Sequence, residues 1–419
     1  MRLHWTGLFG FLFFIGMMAA GYCYNLTFVQ FGVLDLGTRL VGMSRAEVAR
    51  GMALLALATS LTAVVVGLWM QRKGWSRRLQ VKLRLAFVVV AALAALTAAA
   101  PAVHSRPVFT LWILCASAAL GVGVPATFSL ATDLVPVRLR GAAGALITAG
   151  AYFPAAVLSP HWTVETFRTA LLPWMFAGAA ILGLLAFLPS ALVSRLAQQH
   201  LRPEFARGRF VLRVEGARPR FRRRLLGFLV LMFGIYFVDS LGFLRLAETP
   251  VFFETAWRSP ELGVRLLIGG AHVLAALVAG VLYSALDEKE LFLWVFGIFA
   301  LVHLMYTFSV PSTASGEPPL ILPLLYSLVV SLYTVMNFAL WADISTPGTI
   351  SRNSALGVAL SGWTATFVST ALALQMRQSG IPLEQHLRIV NALAFLFFLL
   401  VTGLIFFQPG KQSRRMESR

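Results

Sequence analysis

Twelve apolar runs alternate with polar breaks along this chain, at roughly 6–30, 51–71, 84–103, 108–131, 141–159, 168–194, 225–246, 262–284, 290–310, 320–342, 353–375 and 387–408. About 20 apolar residues at ~1.5 Å rise cross the ~30 Å hydrocarbon core. In lipid every backbone polar group has to be satisfied inside the fold, and runs of this length do so as helices. The pattern therefore predicts an all-α integral membrane protein with twelve transmembrane helices. The longest basic break, 195–224, divides them six and six, and its Pro203, Gly208, Gly216 and Pro219 interrupt any long helix. The expected organisation is an N-terminal six-helix bundle (1–194), an Arg-rich cytoplasmic linker (195–224) and a C-terminal six-helix bundle (225–419). The first run is taken as a helix rather than a leader, because losing it would spoil the six-plus-six count. The longest outer loops are expected at 31–50 and 247–261, and Ser44-Arg45-Ala46-Glu47 fits a capping box that starts the second helix.

A 58% hydrophobic composition and a mean hydropathy of +0.78 agree with that pattern. The net charge of +18 suggests nucleic acid until the charges are placed. With the N-terminus inside and the helices alternating, 25 of the 35 Lys and Arg fall on the inner side. That bias predicts both termini in the cytoplasm, an inner (plasma) membrane location and no nucleic-acid partner. Cys23 and Cys115 both fall in apolar runs and offer neither a disulfide nor a metal framework. No Walker A loop, HExxH or Cys/His metal spacing is present in the sequence. The expectation is a monomer in the lipid bilayer that is not an enzyme and uses no cofactor and no metal.

The halves echo one another. The fourth run ends Ala131-Thr132-Asp133 before Pro136, Arg140 and Gly141, and the tenth ends Trp341-Ala342-Asp343 before Pro347, Arg352 and Gly357. Between the second and third runs stands Gly67-Leu68-Trp69-Met70-Gln71-Arg72-Lys73-Gly74-Trp75-Ser76-Arg77-Arg78. With Asp133-x-x-Pro136-x-x-x-Arg140-Gly141, this stretch resembles the signature of the major facilitator superfamily, and the resemblance covers the whole chain. It implies a transporter of two six-helix bundles working by alternating access. It also implies a cytoplasmic gate built from Gly67, Gln71, Arg72, Gly74, Arg77, Asp133, Arg140, Asp343 and Arg352. Three positions depart from the pattern. Gln71 stands where the family has Asp, Ser117 stands where Arg often precedes a pair like Gly121 and Gly123, and Gly150…Pro154 replaces the Gly-Pro pair common in antiporters. An acid at a helix C-terminus opposes the dipole and needs a cation. Arg72 or Arg140 is the expected partner of Asp133, and Arg352 or a base of the other half that of Asp343.

An ionisable group at mid-membrane costs roughly 2.5–3.5 kcal/mol on insertion scales and marks function. Asp239, ~22 Å above Arg224 at ~1.5 Å per residue, is the leading candidate, with His272 or Arg245 as partner. Asp239 and His272 are the candidate proton carriers. The resemblance implies a central cavity touched by Asn25, Gln30, Asp239, Ser240, Tyr333 and Asn337, with Phe, Met and Leu walls. Such walls suit an amphipathic or moderately apolar solute. The expected function is secondary active or facilitative transport of a small organic solute, proton-linked or uniport, with export favoured. A second reading stays open: a transporter-like protein that acts as an assembly or scaffold factor without transport. It rests on Ser129–Leu134, which resembles the same stretch in relatives that assist light-harvesting complex assembly.

Overall fold

The computed structural model describes residues 5–158, 161–189, 193, 208–210, 218–247, 249, 252, 256–312 and 319–406. Twelve long helices run through them. In chain order they are α1 (Trp5–Tyr24, continued by π turns Asn25–Gly32 and Leu36–Leu40), α2 (Arg45–Arg72), α3 (Leu79–Ala99), α4 (Arg106–Phe128), α5 (Arg140–Val157), α6 (Val164–Phe187), α7 (Arg218–Ala247), α8 (Leu262–Ala285), α9 (Glu288–Ser312), α10 (Ile321–Asp343), α11 (Ile350–Ser354, a π stretch Ala355–Trp363 and Thr364–Gln378) and α12 (Leu383–Phe406). Eleven helical spans among the described residues are long and apolar enough to cross a membrane. The other long helix, α5, is 18 residues long and opens on Arg140. Large apolar side chains such as Trp174, Phe187, Val281 and Phe308 stand about two-thirds exposed or more (66–74% for the group with Leu184). Patches of that kind belong against lipid, not water.

Local chemistry sets the helix ends. Ser44 Oγ accepts from Glu47 N–H while Glu47 accepts from Ser44 N–H at 2.8 Å, so the expected capping box is present. Gly74 ends α2 with φ +69°, a conformation that costs a β-carbon-bearing residue energy. Gln80 and Arg84 donate to Leu188 O (3.1 Å) and Ala186 O (3.2 Å), closing the C-terminus of α6.

The pattern misplaced two boundaries. The stretch 31–50 is not a loop: α1 continues as helix to Leu40. Its polar residues are absorbed locally. Asp35 bonds Arg39 and also accepts from Val164 N–H at 2.8 Å, which fastens this end of α1 to the start of α6. In addition α7 begins at Arg218, seven residues before the apolar run, because Arg is a good helix former even where lipid does not require one. Of the expected linker, 195–207 and 211–217 lie outside the described residues, as does part of 247–261.

The two sets of six pack symmetrically. Across the halves α5 packs on α8 and α10, and α11 packs on α2 and α4. Exchanging each helix for its counterpart six places away in the other half (α5 for α11, α8 for α2, α10 for α4) turns the first trio into the second, so the seams are related by an approximate twofold axis. Parallel repeats of this sort are a common transporter plan. Helix α10 sits innermost, with 78% of its apolar stretch buried against 28–50% for the other spans.

Candidate functional site

Five of the chain's eight tyrosines meet halfway along the helices. Asp239 on α7 is their focus. Its Oδ1 accepts from Tyr326 O–H at 2.6 Å and its Oδ2 from Tyr333 O–H at 2.6 Å, both tyrosines on α10. Tyr236, one turn earlier on α7, meets Tyr333 edge to face at 5.5 Å. From the other half, Tyr22 of α1 and Tyr152 of α5 share their hydroxyls at 3.2 Å, and Tyr152 reaches Thr334 Oγ at 3.3 Å. Asp239, Tyr22, Tyr152 and Tyr236 remain partly accessible, whereas Tyr326 and Tyr333 are buried. Four helices from both halves thus bring polar groups together near mid-span, several of them partly accessible. Phe338 edges Tyr22 at 5.1 Å and stacks on Phe128 at 5.6 Å, so apolar rings lie beside the group.

The partners expected for Asp239 are corrected by this geometry. His272 is buried, stacks on Tyr152 at 4.4 Å and bonds Ser331 Oγ through Nδ1 at 3.0 Å. Arg245 donates to Ile381 O at 3.2 Å. The two phenols reach Asp239 from α10 by the length of the tyrosine side chain, since α7 packs closely on α9, α11 and α12 rather than on α10.

The remaining cavity candidates are unequal. Asn25 and Gln30 are partly accessible on the π segment of α1, and Asn25 Oδ1 is buried without a hydrogen-bond partner among the described residues. Ser240 leans toward Thr366 of α11 at 3.4 Å. Asn337, one turn beyond Tyr333 on α10, is buried and its Oδ1 accepts from the Trp341 indole at 3.0 Å.

Toward the end that carries the α2–α3 and α4–α5 connections, which we call the basic end, the halves are bolted together. Arg140 Nη1 at the start of α5 donates to Asp343 Oδ1 (2.7 Å) and Ala342 O (2.8 Å) at the end of α10. Tyr283 O–H donates to Asp343 Oδ2 at 2.8 Å. Arg140 and Asp343 are 2% and 1% exposed, so solvent screening is slight. Even so, Arg140 Nε and Nη2 have no acceptor among the described residues. Gly67 brings α2 against α11: a Cβ there would lie 2.7 Å from Ser351 O. Ser76 Oγ donates to Ser351 Oγ at 2.7 Å, and Arg77 lies over Gly348. Gly208–Phe210 add a strap. Gly208 N–H donates to Ser345 O (3.3 Å), Phe210 N–H to Asp343 O (2.9 Å) and Arg209 N–H to Asp343 Oδ1 (3.3 Å).

One expected gate pair is corrected here, and for Asp343 the partner in contact is the second one expected, a base of the other half, Arg140. Asp133 is held by Lys82, not by Arg72 or Arg140, and Lys82 Nζ also donates to Ser129 O at 3.0 Å. Both residues belong to the first half, so this pair does not cross the seam. Arg352 bonds its neighbour Asn353 (2.9–3.0 Å) rather than Asp343. Arg72 stands exposed beside Gln71 at the end of α2.

Lys82 and the tyrosines carried a signal that sequence reading passed over. Tyrosine in membrane proteins prefers the interface, so Tyr22, Tyr152 and Tyr236, in the middle of apolar runs like the Tyr333 that sequence reading did single out, are anomalies of the same kind as Asp239. Lys82 was counted only as an orientation charge.

No family model matches the sequence, and no curated protein matches it. Solved structures do. The proton:xylose symporter XylE of the major facilitator superfamily, bound to 6-bromo-6-deoxy-D-glucose, superposes with a TM-score of 0.63 at 13% identity over 96% of both chains. A bacterial homologue of the iron transporter ferroportin, in an outward-facing state with soaked iron, gives 0.60 at 14% identity over 96% of this chain and 99% of that one. At such identities the likeness is one of fold alone, and it extends over nearly the whole of this chain.

Proposed function

We propose that this chain is a secondary transporter that moves a small organic solute by alternating access between its halves. The space ringed by Tyr22, Tyr152, Tyr236 and Asp239 is the resting place of the solute. One observation carries the reading: an acid with partial access at mid-span, where α1, α5, α7 and α10 of both halves converge. The cost of such a group in lipid, roughly 2.5–3.5 kcal/mol, is tolerated where it faces a pathway. Two solved structures of like fold, a proton:xylose symporter and a homologue of an iron transporter by name, fit a transporter. In our assignment both termini and the basic end face the cytoplasm of an inner-membrane protein, the solute leaves the cell, and Asp239 carries the coupled proton. Arg140–Asp343 then closes the cytoplasmic side.

The test uses proteoliposomes containing only this protein. Metabolite flux is followed together with labelling of Ser351→Cys, placed at the α2–α11 seam, in a background without Cys23 and Cys115. Arg140→Gln removes one partner of a buried pair, a change of about 3–5 kcal/mol against the bolted state. Labelling at 351 should rise tenfold or more by that estimate, and Asp239→Asn should remove the pH dependence of flux. Absence of flux together with an unchanging seam would favour the non-transporting assembly role instead.

A further inference from the structure

Asp239 differs from the other aspartates inside the spans. Asp35, Asp133 and Asp343 each hold an arginine or a lysine. Asp239 holds two phenols, and among the described residues no cationic side chain pairs with it. Phenol donors satisfy the lone pairs of a carboxylate but leave its charge in place. The rings around it point the same way. Tyr333 and Tyr236 pack beside it on the second half, and Tyr22, partly accessible, lies within electrostatic reach of it from the first. The face of a tyrosine ring attracts a cation through its quadrupole and offers nothing to an anion. A hard metal ion needs six or more oxygen ligands or a tight His/carboxylate set. No group of three His, Cys, Asp or Glu lies together among the described residues. The walls supplied by Phe338, Phe128 and the tyrosine rings accept an apolar body.

We propose that the solute of this site is an organic monocation, a protonated or quaternary amine with an apolar body. Its charge sits against Asp239 and its body against the rings of Tyr22 and Tyr236. This rests on the transporter reading and adds the class of substrate to it. One carboxylate neutralises a proton or an ammonium but not both, so the two occupy Asp239 in turn.

The test compares matched pairs on the full-length protein in detergent and in liposomes. The cations are choline and phenyltrimethylammonium, neither of which can lose its charge. Their partners are the neutral isosteres in which carbon replaces the nitrogen. Binding is read as quenching of intrinsic fluorescence and as a shift in melting temperature. At least one cation should bind about tenfold or more tighter than its isostere. Asp239→Asn should bring that ratio close to one. Tyr236→Leu, which keeps the acid, should weaken the cation about threefold or more while leaving the neutral partner less affected. Equal binding within each pair, preference for the neutral member, no binding of either cation, or a preference that survives Asp239→Asn overturns the proposal. The seam label at 351 separates the two readings. If neutral solutes drive its accessibility while the cations do nothing, the transporter reading stands and the charge assignment falls.

Discussion

Lys82 shows how one residue can be invisible in a pattern and decisive in a structure. It lies in the first turn of α3, fully buried, with Asp133 and Ser129 O as its partners. Removing one member of a buried pair strands the other charge, at about 3–5 kcal/mol, whereas replacing both by apolar groups of similar volume is close to neutral. Lys82→Met should therefore lower the melting temperature in detergent sharply, and Lys82→Met/Asp133→Leu should recover most of the loss. A single variant as stable as the parent would mean that water already reaches the pair. The acid at 133 was legible because a carboxylate at a helix C-terminus demands a cation. Which cation was not legible, because Lys82 is 51 residues away and is brought over by packing of α3 on α4. The same holds at mid-span. Asp239 stood out by its cost in lipid, but its phenol donors lie 87 and 94 residues further along the chain.

At the scale of elements, hydropathy marked all twelve helices because lipid leaves the backbone no alternative to helix. It failed where that constraint relaxes. The polar end of α1 was read as loop, yet Asp35 and Arg39 satisfy each other one turn apart and let the helix continue. Seams are also hidden from hydropathy, since glycines facing lipid and glycines facing a helix look alike in sequence. Helix α8 holds both kinds. A Cβ on Gly280 would lie 2.8 Å from Ala145 Cβ and 3.0 Å from Gly141 O across the α5–α8 seam. A Cβ on Gly270 would meet nothing within 4 Å. Small residues at such contacts are what allow membrane helices to approach. Gly280→Ala should cost about 1–3 kcal/mol by overpacking. Gly270→Ala should be neutral or stabilising by up to about 1 kcal/mol, from helix propensity alone. Melting temperatures of the two variants, read side by side, check this. Equal effects would mean that the α5–α8 seam is looser than it stands here.

Over the whole molecule, the paired seams agree with the echo of Asp133 and Asp343 along the chain. The echo misled in one respect, since the first copy is sealed within its own half and only the second crosses between halves. The strap Gly208–Phe210 adds something that no repeat could foretell. Gly208 lies so close to α10 that a Cβ would fall 2.2 Å from Asp343 O. Gly208→Val should dislodge the strap and raise labelling of Ser351→Cys, with Asp239-dependent binding unchanged. No change in labelling would make the strap a passive passenger. If it holds, the segment joining the two halves is no slack thread between independent bodies. It works as a clasp, and parting the basic end begins with peeling three residues of backbone from the helix they fasten. Two half-chains expressed separately, one ending before Gly208, would then still find each other in the membrane but would breathe more freely at that end than the intact polypeptide does.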